Sequence, residues 1–223
     1  MIAVAGGKGG SGKTTTTVGL ARALSRRGAP VVAADADWDL PNLARLAAET
    51  GERVDPELTP TIRDAIGTGG PIRPDRSAPT FLAAPERPRE ADARSALESL
   101  GDAVPDDAPV LLDCPAGASP DAVAPLRVAE RCLLVTPLRR AALRDAAKTA
   151  AVARRLDCRP VGVVVVRTRS APDPVADLLG CPVLGRVPSR EPEPLSTPAV
   201  ASAYDGVAGS LVERAATDGW RIA

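Results

Sequence analysis

Histidine is absent from this chain of 223 residues. That gap removes serine–histidine–aspartate triads, cysteine–histidine nucleophiles, histidine zinc sites and imidazole general bases. Aromatic residues are nearly as scarce: Trp38, Phe81, Tyr204 and Trp220 complete the set, too few for a platform that stacks successive nucleic-acid bases. The longest apolar run, Val161–Val166, falls far short of the roughly 20 residues a transmembrane helix needs. Cys114, Cys132, Cys158 and Cys181 are scattered without a C-x-x-C pair, so neither a zinc ribbon nor a redox pair is visible. They read as reduced, buried side chains of a cytoplasmic protein. Net charge is missing as well, since 28 basic residues balance 28 acidic ones. Lysine is the last scarcity: Lys8, Lys13 and Lys148 stand alone among those 28, and two of them lie close together near the start.

What remains is the composition of a soluble globular domain, with 44% hydrophobic and 25% charged residues. Met1–Ala5 reads directly as a strand, which leaves no room for a signal peptide. Further strands are expected at Val31–Ala34, Thr80–Ala84, Val110–Leu112, Cys132–Val135, Val161–Val166 and Val183–Val187. Between them lie helical stretches: Lys13–Arg27, Asn42–Glu49, Thr61–Ile66, Ala91–Leu100, Asp121–Val128, Ala141–Leu156, Val175–Leu179 and a last one at Ala199–Ala216. Gly and Pro mark the intervals 51–60 and 67–79 as loop. Strand and helix alternate throughout. The expected fold is therefore α/β, a single domain over residues 1–223 whose twisted, mostly parallel sheet of about seven strands carries helices on both faces.

Gly7 through Thr14 matches G-x-x-x-x-G-K-[ST] and sits between a strand and a helix, the context that pattern requires. Glycines let successive backbone N–H groups turn toward phosphate oxygens, and the helix N-terminus adds positive partial charge. Lys13 can reach the outer phosphates, and the Thr14 hydroxyl can ligate Mg²⁺. A nucleoside triphosphatase also needs a carboxylate near the metal and a group that orients water. The apolar strand ending at Asp113 supplies the first; Asp35 and Asp37, at the end of the next strand, are candidates for the second. Asp39 reads as a solvated charge or helix cap.

These residues resemble the MinD/ParA ATPases. The loop Lys8-Gly9-Gly10-Ser11-Gly12-Lys13-Thr14-Thr15 looks like that family's deviant Walker A loop, with Lys8 as the additional lysine. Asp35-Ala-Asp37 resembles its switch I and Asp113-Cys-Pro-Ala-Gly117 its switch II. The resemblance continues through Leu184–Pro188, near the nucleotide base, to the final helix around Pro198–Tyr204. It implies a P-loop ATPase fold and a homodimer that closes around two ATP molecules. Gly7, Gly9, Gly10, Ser11 and Gly12 would hold the phosphates with Lys13, Thr14 and Thr15, while Arg167 and Pro188 border the base. Lys8 would cross to the partner's phosphates, Lys13 would act within its own subunit, and Asp37 would orient the attacking water. Thr14, Asp35 and Asp113 would surround Mg²⁺.

Two positions depart from the family pattern. Val166 stands where relatives carry an Asn that reads adenine; a valine cannot hydrogen-bond a base, which leaves backbone contacts near Pro188–Arg190 as the alternative. Trp38 stands where relatives have Pro or a small residue, placed either to pack on a partner or to lie half-exposed in its own loop.

The resemblance further implies a stimulating or cargo protein, with a role in cell division or in chromosome or plasmid partitioning. Asp218–Ala223 is too short for an interfacial helix, so direct membrane binding by that route is not expected. Residues 131–169 hold ten basic and two acidic side chains. The Arg139–Arg155 helix places Arg140, Arg144, Lys148 and Arg155 near one face, opposite Leu143, Ala147, Ala150 and Leu156. Such a face is either merely solvated or contacts DNA phosphates nonspecifically or an acidic partner. Two other readings stay open: a nucleotide-gated regulatory module with little turnover, and a metabolic relative, which Lys8 and the lack of C-x-x-C disfavour.

Overall fold

A computed structural model describes residues 1–7, 9–51, 54–67, 69–86, 92–117, 120–189 and 193–222, the side chains of 120–122 excepted. Four-residue stretches of uninterrupted apolar character open the chain and recur along it, and each becomes a strand buried on both faces. β1 is Ile2–Ala5, β2 Val32–Asp35, β3 Thr80–Leu82, β4 Val110–Asp113, β5 Arg131–Pro137, β6 Arg159–Val166 and β7 Val183–Val187. They form one sheet in the order β3-β2-β4-β1-β5-β6-β7, and every pairing is parallel. The helices are α1 Lys13–Arg26, α2 Leu43–Glu49, α3 Ile62–Gly67, α4 Ala93–Ala103, α5 Pro120–Val128, α6 Arg140–Arg155, α7 Pro174–Leu179 and α8 Pro198–Asp218.

Alternation along the strands sorts the core into two layers. Ile2, Val4, Ala33, Leu111, Leu133 and Val135 face α1, α2 and α8. Ala3, Ala5, Val32, Ala34, Leu112 and Leu134 face α3 to α7. The chain builds outward from β1 on one side through β2, β3 and β4, then crosses to β5, β6 and β7. Such a reversal opens a crevice at the C-terminal strand ends, where ligands of open α/β sheets bind.

Local chemistry sets several boundaries. α1 ends where Gly28, at φ 86°, turns the chain and its N–H closes on the Ser25 carbonyl at 2.8 Å. The Asp92 side chain caps α4 by accepting the Arg94 N–H at 3.1 Å; the expected start at Ala91 lies outside the described residues. β3 stops at Leu82, two residues before the expected end, because Ala83 diverts to an isolated bridge with Thr61. All four cysteines are free and buried.

One sequence expectation needs correction. The buried face of α6 is centred on Ala146, Ala150 and Ala153, whereas Leu143, Ala147 and Leu156 are half-buried. Small side chains let the helix approach the sheet closely, so alanine rather than leucine occupies the contact line. Arg140, Arg144, Lys148 and Arg155 are exposed as expected. The tail after α8 folds back onto the sheet: Arg131 lies 4.5 Å over the Trp220 ring and Ile222 is buried. Among the described residues no helix is long and apolar enough to cross a membrane.

Candidate functional site

The crevice is floored by the loop from Gly6 to Gly12, which leaves β1 and feeds α1. Its path permits few side chains. A Cβ at Gly7 would collide with the backbone and Cβ of Asp145 on α6, so the loop is wedged against that helix. Gly12, the residue before α1, adopts φ 92°, a left-handed conformation that strains any residue with a Cβ. The helix N-terminus thus points into the loop, with its free N–H groups and positive partial charge.

Lys13, the first residue of α1, is only 7% exposed, and Ser11 is buried beside it. Among the described residues the Ser11 hydroxyl has no hydrogen-bond partner. A buried unpaired hydroxyl and a buried ammonium at a helix N-terminus suit an anion. Gly9 and Gly10 are exposed, and Thr14 and Thr15 are half-buried on the first turn of α1. Lys8 lies outside the described residues.

Two strands bring acids to the same crevice. β2 and β4 pair so that Asp35 stands in register with Asp113. Burial pushes the Asp113 carboxyl up to about 7, and the Asp35 charge adds to this; hydrogen bonding from Thr14, the Lys13 ammonium and the Thr17 hydroxyl oppose it. Thr17 donates to Asp113 Oδ1 at 3.1 Å, tying α1 to the end of β4. Burial likewise raises Asp35 to about 6, against three backbone N–H donors. Adjacent carboxyls that resist ionisation fit a site completed by a cation.

Asp35 accepts from the Asp37 N–H at 3.0 Å and from the Asn42 and Leu43 N–H groups at 2.8 and 2.9 Å. It therefore caps α2 from outside, and the Asn42 side chain, though at the N-cap, makes no cap bond. Asp37 is half-exposed, and its Oδ1 accepts the Leu40 N–H at 3.2 Å. Asp39 is exposed. Trp38 is fastened to its own subunit, with Nε1 donating to the Asp35 carbonyl at 3.1 Å and its ring packed on the core.

On the other side of β1, Val166 and Val187 pair at the ends of β6 and β7. Arg167 and Pro188, the residues that follow, are thereby brought side by side. Thr17 and Asp145 were not anticipated as parts of the site. Thr17 carries a sequence signal, since three positions after Thr14 it shares a helix face with it. Asp145 carries none, because only tertiary packing sets α6 against the loop.

The sequence profile of the CobQ/CobB/MinD/ParA nucleotide binding domain matches residues 2–193. The chain belongs to this family. Similar proteins include the septum site-determining protein MinD of Synechocystis, 30% identical over 213 residues that cover 88% of this chain and 79% of that protein. Among solved structures, the cell division ATPase MinD of Pyrococcus furiosus superposes with a TM-score of 0.76 at 27% identity, covering 95% of this chain and 98% of that one. MinD of Pyrococcus horikoshii, complexed with Mg-ADP, gives 0.78 at 24% identity and covers 97% of each.

Proposed function

We propose that the protein is a Mg-ATP-dependent ATPase switch that dimerises on binding ATP and positions a cellular cargo, in cell division or in chromosome or plasmid partitioning. The observation that carries this reading is the glycine loop with buried Lys13 at its end, facing the paired acids Asp35 and Asp113. The relatives support it, since MinD of Pyrococcus horikoshii holds Mg-ADP.

In this reading the loop amides from Gly7, Gly9, Gly10, Ser11 and Gly12 hold the phosphate oxygens, joined by Lys13 and by Thr14 and Thr15 on the first turn. Thr14 and Asp113 hold Mg²⁺, which when bound neutralises charge between the outer phosphates. Asp35 faces the metal's water shell while its backbone bonds fix the path of the switch segment. Asp37, free enough to reorient, positions a water in line with the γ-phosphorus. The water oxygen forms the new P–O bond as the bond to the β–γ bridging oxygen breaks, ADP leaves, and the water proton passes to Asp37 or to the departing phosphate. Lys13 and the loop amides stabilise the charge on the transferred group. Lys8 reaches across to the partner's phosphates, and Arg167 and Pro188 border the base.

Phosphate release and solution mass with Mg-ATP test this together. Wild type should turn over and dimerise, Asp37→Ala should dimerise without turnover, and Lys8→Ala should bind ATP yet stay monomeric. Equal, near-zero release by wild type and Asp37→Ala would favour a nucleotide-gated regulatory module instead.

A second surface is favoured by its own observation. Exposed arginines elsewhere are paired, as in Arg26–Asp205, Arg76–Asp107 and Arg94–Glu98. On the α6 segment Arg139, Arg140, Arg144 and Arg155 have no ion pair among the described residues, and Lys148 has only Asp145 at 3.7 Å. Unpaired guanidiniums along one helix suit nonspecific contact with DNA phosphates. A stimulating or cargo protein completes the proposed partners; the docked tail supports no direct membrane binding, and the protein is proposed to act in the cytoplasm.

A further inference from the structure

Sheet order assigns the two ends of a bound nucleotide to opposite sides of the loop. The acids that end β2 and β4 lie on one side of β1, and β5, β6 and β7 lie on the other. With the terminal phosphate toward the acids, the nucleoside is left to the β6–β7 edge. Val166 borders the loop directly there: a Cβ at Gly12 would stand 3.4 Å from its Cγ2. Val166 is buried and offers alkyl surface alone.

The next residue is the unusual one. Arg167 takes φ 59°, and among the described residues Asp157 is the one other non-glycine residue at positive φ. Aspartate tolerates that conformation in turns, whereas a long side chain seldom adopts it. A strained residue at the rim of a ligand crevice points to a role in binding. Arg167 is exposed, it makes no ion pair among the described residues, and a guanidinium can only donate hydrogen bonds. The nearby Val187 carbonyl is already engaged by the Thr168 N–H at 3.1 Å.

Composition removes the usual alternative. A carboxamide both donates and accepts, and so matches adenine's amine and adjacent ring nitrogen. The chain has no glutamine and a single asparagine, Asn42, which sits at the start of α2 on the acid side of β1. Adenine turns a donor amine toward a donor-only edge, whereas guanine presents two acceptors, O6 and N7, which arginine binds well.

We infer that the base subsite at the β6–β7 edge, set by Val166 and Arg167, does not select adenine and takes guanosine triphosphate as readily as ATP. This rests on the reading of the loop as a triphosphate site. Titration calorimetry with Mg-ATP and Mg-GTP separates the two claims. The dissociation constants for wild type should agree within about tenfold. Arg167→Ala should weaken GTP more than ATP, and Val166→Asn should shift the ratio toward ATP by about fivefold or more. Wild-type preference for ATP beyond tenfold overturns the inference and leaves the triphosphate reading standing; binding of neither nucleotide overturns both. Equal weakening of the two nucleotides by Arg167→Ala overturns the role given to that side chain. Should Val166→Asn not fold, the wild-type ratio and Arg167→Ala decide alone.

Discussion

Gly7 and Asp113 show how single positions shape the site. Gly7 has no room for a methyl group, because Asp145 of α6 occupies that space. Gly7→Ala must push α6 or the loop aside, and overpacking of this kind costs about 1–3 kcal/mol. The expected outcome is a lower Tm together with lost nucleotide binding; an unchanged melting curve would contradict the wedge. Asp113 acts through charge. Its value of about 7, and Asp35's of about 6, exceed those of ordinary carboxyls, so the folded, nucleotide-free chain binds protons more tightly than the unfolded one. Stability contributed this way is fully present below about pH 4 and is lost as pH rises through 6 and 7. Denaturant titrations between pH 5 and 8 should show wild type losing stability with rising pH, and Asp113→Asn losing less. Neither effect is legible in the sequence. The loop motif announces Gly7 through Thr14, but what Gly7 touches lies about 140 residues away on α6. The pattern Asp-x-Asp likewise marks an acidic strand end without revealing that Asp35 caps α2.

Among the elements, α1 links the loop to the body of the protein. Thr17 ties it to Asp113 on one side, and Thr16 meets the buried Tyr204 hydroxyl of α8 at 3.2 Å on the other. Gly19 makes this contact possible, since a Cβ there would collide with the Tyr204 ring. Tyr204→Phe should lower stability by about 0.5–1.5 kcal/mol, whereas Tyr204→Ala should lower it by about 3–5 kcal/mol through the cavity left behind. Chemical denaturation resolves the two, and equal losses would contradict a packed ring bearing a separate hydrogen bond. On α6, Arg140→Glu with Arg144→Glu should weaken DNA retention and reduce the slope of log affinity against log salt by about 0.9 for each phosphate that is no longer neutralised. An unchanged slope would assign those arginines to solvent. Most elements were readable in advance, because buried parallel strands are short apolar runs with helices between them. The face of α6 was not, because alanines packed against a sheet carry weaker hydrophobic periodicity than leucines.

At the scale of the whole molecule, balanced charge hides an uneven distribution. Residues 131–169 carry ten basic and two acidic side chains within a neutral chain, and they build β5, α6 and β6. Positive charge therefore gathers on the strands beyond β1, opposite the switch acids of β2 and β4. Topology thus separates the chemistry of the terminal phosphate from the edge assigned to the base and from the unpaired arginines of α6. The seven-stranded order was not readable from the alternation of strand and helix, since many orders satisfy that pattern; membership of the CobQ/CobB/MinD/ParA family restricts them. The claim on which the rest depends is that the first loop grips a triphosphate through Lys13. Calorimetric titration of Mg-ATP into wild type and Lys13→Ala tests it most directly. The account predicts saturable, one-site binding by wild type, weakened about 10- to 100-fold by the loss of the buried ammonium. Identical binding isotherms for the two proteins would contradict it.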